Sequence, residues 1–129
     1  MKLSQIQLDT KAIEEGEWRD HPFFDGIQVL VRGSSCEAVE ARRRHLLNRR
    51  PNRRMKVGDA VIESRKIEAL CTAECLLDVK GIDDVTYSVE LGREWATDAG
   101  MVRFMEGVRE LADEIGTAES AAHEDSVQD

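Results

Sequence analysis

Ile27-Gln28-Val29-Leu30-Val31-Arg32-Gly33 is the stretch on which the fold turns. Ile27, Val29 and Val31 recur with a period of two, which sets three β-branched residues on one face of a strand. Gly33 ends that strand, and Asp25-Gly26 ahead of it is a turn signal. Glu17-Trp18-Arg19-Asp20 reads as a shorter strand before the turn. His21-Pro22 bars a helix between the two, because the residue before a proline avoids the helical region. The spacing therefore predicts a β-hairpin over 17–32. Further upstream, Asp9-Thr10 caps a short helix running through Glu15, with Gly16 as its stop.

Beyond Gly33 the period changes from two to 3.6. Ser34 or Ser35 is expected to cap a helix over 36–50, stopped by Pro51. Its apolar stripe is narrow: Val39, Leu46 and Leu47, with Arg43 between them. Residues 51–57 form a basic connector. Asp59 is expected to cap a second helix over 59–79, with Ala60, Ser64, Ile67, Leu70, Cys71 and Cys75 on its apolar side and Gly81 as its terminal glycine. A loop leads to Ser88, which caps a third helix over 88–97, where Glu90 suits the helix dipole. Asp98 caps the fourth, over 99–115. There Met101, Phe104, Met105, Val108, Leu111, Ala112 and Ile115 keep i, i+3, i+4, i+7 spacing, the pattern of a core-facing helix. Residues 117–129 are small, polar and acidic, and read as a disordered tail. The fold class is thus α+β and mostly helical. A small N-terminal β-hairpin and about four helices make one globular domain over 1–116, followed by a disordered acidic C-terminal tail.

A chain of 129 residues suits one domain. Its apolar share is 41% and its charged share 34%, against about 45–50% and 25% in ordinary globular chains. No run approaches the ~20 apolar residues of a membrane helix. The opening residues lack the apolar core of a signal peptide. Three cysteines do not make a disulfide framework. These features predict a cytoplasmic protein with reduced thiols. The net charge of −8 is unevenly distributed. Residues 1–41 carry −4, residues 42–77 carry +6, and residues 78–129 carry −10. Arg42, Arg43, Arg44, Arg49, Arg50, Arg53 and Arg54 dominate the middle block.

No catalytic set stands out. Cys71 and Cys75 share a helical face. Cys36 and His45 are the only further ligands nearby in sequence, and structural zinc pairs have tighter loop spacing. Core packing is the simpler reading of buried thiols. His21, His45 and His123 share no periodicity. Val31-Arg32-Gly33-Ser34-Ser35 has one glycine and matches no phosphate loop. Asp83-Asp84 lacks the ligand ladder of a calcium loop. Neither enzyme activity, cofactor nor metal is expected. The arginine cluster has three readings: a solvated face that offsets the acidic C-terminal third, a docking site for an acidic protein segment, or a phosphate-neutralising surface. Against the last, no aromatic occurs between Phe24 and Tyr87 to stack on bases. Arg43, Arg49, Arg50, Arg53 and Arg54, with Met101, Phe104, Met105 and Val108, are the candidate partner-binding residues.

One order of features is shared with a known family. Leu8-Asp9-Thr10-Lys11-Ala12 is followed by Gly16-Glu17-Trp18, by the strand ending Val29-Leu30-Val31-Arg32-Gly33, and by a basic helix. An apolar helix then runs out to Leu76-Leu77-Asp78-Val79-Lys80-Gly81. Gly81-Ile82-Asp83-Asp84-Val85-Thr86-Tyr87-Ser88 leads into a helix ending near Thr97-Asp98, and an amphipathic helix closes the series. Over residues 3–116 this layout resembles the tail assembly chaperones of long-tailed bacteriophages and related prophages. It departs from them in lacking a proline before Tyr87 and in the density of arginines over 42–54. The resemblance implies a non-enzymatic protein that coats the tape-measure protein, keeps it soluble and recruits tail-tube subunits. Such a protein works in the host cytoplasm and is absent from the finished virion. It also implies that the helices over 59–79 and 101–115 supply the client groove. Self-association is left open, no membrane is involved, and nucleic acid is the less favoured partner. The alternatives from the residues are a nucleic-acid-binding accessory protein using Arg42 to Arg54, and a structural tail or connector subunit of a virion.

Overall fold

The hairpin forms where the alternation places it. In a computed structural model, which describes residues 2–3, 7–49 and 56–117, β1 (Glu17–Asp20) pairs antiparallel with β2 (Gln28–Val31). Glu17 lies opposite Val31, and Asp20 opposite Gln28. Val29 and Val31 are wholly buried. Ahead of the hairpin, α1 (Thr10–Glu15) is capped by Asp9, whose carboxylate accepts from the Ala12 amide at 3.1 Å. Gly16 stops it with φ +86°, a conformation glycine adopts without cost.

The helical part is α2 (Glu37–Asn48), α3 (Val57–Cys75), α4 (Val89–Thr97), a 3-10 turn at Ala99–Met101, and α5 (Val102–Glu114). The expected fourth helix over 99–115 is thus this turn followed by α5. Ser88 and Asp98 act as caps, accepting from the Leu91 amide at 3.2 Å and the Gly100 amide at 2.8 Å. Ser34 and Ser35 do not. The Ser34 amide donates to Ala112 and the Cys36 amide to Gly33, so these residues form a turn and Cys36 occupies the N-cap. The Glu14 carboxylate instead serves the first turn of α2, accepting from the Glu37 amide at 3.0 Å. Lys56, not Asp59, is the N-cap of α3, because that helix starts earlier than expected. Asp59 sits in its first turn, where a carboxylate favours the dipole. The tail over 118–129 lies outside the described residues.

The main correction is to the helix over 59–79. It stops at Cys75, and Leu76–Lys80 is a third strand, β3, paired antiparallel with the free edge of β2. Cys71, Cys75 and Val79 keep four-residue spacing, so helical periodicity runs on past the helix. No glycine or proline marks the break. The competing influence is tertiary: an unpaired β2 edge would leave backbone donors and acceptors open. Strand order is β1-β2-β3. The last carbonyls of α3 are satisfied at this junction. Glu74 O accepts from Arg32 Nε at 2.7 Å, and Cys75 O from the Arg32 amide at 2.9 Å. The Tyr87 hydroxyl donates to Leu76 O at 2.7 Å.

The core lies between the Val29–Val31 face of the sheet and the helices. Phe104, Met105, Val108, Leu111 and Ala112 of α5 are all buried there, as their spacing requires. One polar side chain joins them. His21 is 5% exposed, with Nε2 2.9 Å from Phe104 O and Nδ1 accepting from the Phe23 amide at 3.1 Å. A carbonyl only accepts and an amide only donates, so these partners select the neutral Nε2–H tautomer. The histidine thereby ties the hairpin to α5. No helix among the described residues is long and apolar enough to cross a membrane.

Candidate functional site: the groove between α3 and α5

An amphipathic helix ordinarily buries its apolar stripe along its whole length. α3 does so only from Ile67 onward. Between Val57 and Lys66 no residue is buried. Val57 is 82% exposed, Ile62 54% and Val61 45%. Facing this half of α3 is the start of α5, where Val102 is 57% exposed. A groove of about 1050 Å³ separates them. Val57, Val61, Val102 and Met105 give it an apolar lining, and Ala60, Ala69, Ala96 and Ala99 keep its walls low. An α-helix is ~10 Å across and rises ~1.5 Å per residue, so the space matches roughly two turns of helix. Small wall residues let a second backbone approach closely.

Charge lies along the rim. Arg65 and Glu68 of α3 face Glu106 and Arg109 of α5 across the groove. Glu68 is taken by Arg43 of α2, with Nη2 at 3.3 Å, and this partner raises the Arg43 pKa above its ordinary value. Arg65 and Arg109 form no ion pair among the described residues. Asp98 also lies on the lining, so the unpaired charge is balanced, Arg65 and Arg109 against Glu106 and Asp98, and the rim offers partners to charges of either sign.

The expected partner-binding residues fall in several places. Arg43 is half-buried between Glu40 and Glu68. Arg49 caps the end of α2 and is exposed. Arg50, Arg53 and Arg54 lie outside the described residues. Met105 lines the groove while 7% exposed. Phe104 and Val108 face the core, and Met101 packs against its edge. The groove residues not singled out in the sequence are Val57, Val61 and Val102. Their signal was present as apolar positions lying off the buried stripe of each helix. Arg42 and Arg43 pair with Glu74 and Glu68, acids of their own basic block and not of the C-terminal third.

The cysteines pack in the core. Cys36, Cys71 and Cys75 are free thiols with 0–2% exposure. Cys75 Sγ lies 3.8 Å from Cys71 O and 3.9 Å from Gly33 O. A hydrogen bond from Cys75 lowers Cys36 to about 6 and raises Cys75. Burial raises Cys71. Among the described residues no group of three or more His, Cys, Asp or Glu is placed to hold a metal. No protein family, curated protein or solved structure matches the chain.

Proposed function

We propose that this protein is a non-enzymatic assembly chaperone of the phage-tail type. It acts in the host cytoplasm and holds an amphipathic helix of the tape-measure protein in the α3–α5 groove. The observation that carries the reading is the unburied first half of α3 opposite the exposed Val102. A long, partly apolar client needs a reversible cover over its apolar stripe. A groove between two helices accepts such a stripe through i, i+3, i+4 and i+7 anchors. Arg65 and Arg109, with Glu106 and Asp98, can pair with charges of either sign on its flank, and the net charge of −8 keeps the complex soluble. The sequence layout supplies the second support, since its element order resembles that of tail assembly chaperones.

Co-expression with the tape-measure protein tests the reading. The client becomes soluble and co-purifies with this chain. A client that stays insoluble and is not retained contradicts it. Arg44 and Arg49, exposed and without ion pairs among the described residues, favour nucleic acid as the second reading. A gel-shift series across salt concentration separates the two. Steeply salt-dependent binding lost in Arg44→Gln/Arg49→Gln supports the second.

A further inference from the structure

Glu74, in the last turn of α3, is where three arginines from three other segments converge. Arg93 of α4 donates to Oε1 from both Nε and Nη2, at 3.2 and 3.1 Å. Arg32, just past β2, has Nη2 3.8 Å from Oε2, while its Nε is committed to the Glu74 carbonyl. Arg42 of α2 places Nε 3.9 Å from Oε1, beyond hydrogen-bond reach. That Nε is buried and has no acceptor. Among the described residues it is the one buried side-chain polar atom left so. Buried donors are nearly always paired, so this one points to a missing acceptor.

Charge gives a second, independent argument. One carboxylate answers three guanidinium groups, leaving an excess of two positive charges at the cluster. Glu74 is 12% exposed, whereas Arg32, Arg42 and Arg93 are 20%, 26% and 43% exposed, so the cluster opens to solvent on its cationic side. Asp78, the other carboxylate acting on neighbouring Tyr87, forms no ion pair with any of the three arginines. The guanidinium fork matches phosphate oxygens in pairs, and a phosphate group carries about −1.5 to −2 at neutral pH. We propose that Arg32, Arg42 and Arg93 form a binding site for a phosphate-class oxyanion, which supplies the acceptor that Arg42 Nε lacks. The site lies at the C-terminal end of α3 and stands independently of the groove reading.

The test is an NMR titration of the arginine Nε–Hε resonances of the full chain at constant ionic strength. Inorganic phosphate, acetate and chloride are the probes. Phosphate shifts Arg42 and Arg93 saturably and leaves exposed Arg44 and Arg49 in place, while acetate and chloride produce no saturable change. Phosphate acting no differently from chloride, or shifting Arg44 and Arg49 equally, overturns the proposal. An oligonucleotide with 5′- and 3′-hydroxyl ends separates two sources of the same chemistry. Shifts with inorganic phosphate alone assign the site to free or terminal phosphate, and shifts with both probes to a phosphodiester backbone. Glu74→Gln removes the competing carboxylate and should tighten phosphate binding several-fold. Weaker binding by a Glu74→Gln protein that still melts cooperatively would count against the site. Because the wild-type titration needs no variant, a misfolded substitution leaves the test intact.

Discussion

Gly107 sits in the middle of α5, where alanine would ordinarily favour the helix by up to ~1 kcal/mol. Here the order reverses. A Cβ at position 107 would overlap the His21 ring and come within 3.1 Å of Pro22. The ring cannot yield without losing its bonds to Phe104 and Phe23. Gly107→Ala should therefore destabilise the fold by about 1–3 kcal/mol through overpacking, read as a lower denaturant midpoint. Tyr87 offers a pH-dependent check, because it is the only tyrosine. Burial, then Glu74 and Asp78, push its hydroxyl from 10 up to about 12. A folded value above the unfolded one means the protonated form is favoured by folding. That contribution is complete below pH 10 and is lost as pH rises from 10 to 12. Tyrosinate absorbance should have its midpoint near 12, shifting toward 10 in denaturant. Neither role was legible in the sequence. His21-Pro22 reads there only as a helix breaker, since nothing local says that residue 104 lies across the core.

At the scale of elements, local chemistry was legible wherever the local signal agreed with the tertiary outcome. Asp9, Ser88 and Asp98 are caps in both readings, and the heptad-like stripe of α5 lies in the core as its spacing demands. β3 was hidden because its residues continue the spacing of α3 and its stabilising partner, β2, lies far back in sequence. The Cα chemical shifts of residues 76–80 should have the sign of strand, reversing from the helical sign through Cys75. Asp78→Pro tests the same element by mutation. Asp78 faces Leu30, and because the Val79 amide turns away from β2 onto the Asp78 carboxylate, strand alternation points the Asp78 amide into the ladder, where proline removes a donor. The loss should be about 1–3 kcal/mol, the cost of leaving the facing β2 carbonyl without its donor, measured by denaturant unfolding. The same substitution at exposed Thr86, in the irregular segment before α4, should cost far less.

Across the whole molecule, the sequence makes the separation of charge plain but not its arrangement. Arg42 and Arg43 of the basic block turn inward on Glu74 and Glu68, while Arg44 and Arg49 stay exposed. The inward pair does not bridge to the acidic C-terminal third, so the offsetting face expected from composition is not formed by Arg42 and Arg43. The sequence points to the helices over 59–79 and 101–115 as a client surface, and a groove lies between α3 and α5. Its lining was not legible, because the Met101–Ile115 periodicity identifies the buried face, whereas a docking surface consists of the apolar residues left over. Val61 and Val102 belong to that remainder. Both are exposed, so Val61→Glu and Val102→Glu together should change stability by only about 1 kcal/mol or less, as thermal melting would show. The most direct test of the chaperone reading combines this double variant with the client. Tape-measure protein co-expressed with the wild-type chain should be soluble, and with a normally folded Val61→Glu/Val102→Glu chain it should return to the insoluble fraction. Equal client solubility with both chains would contradict the claim that this groove holds the client helix.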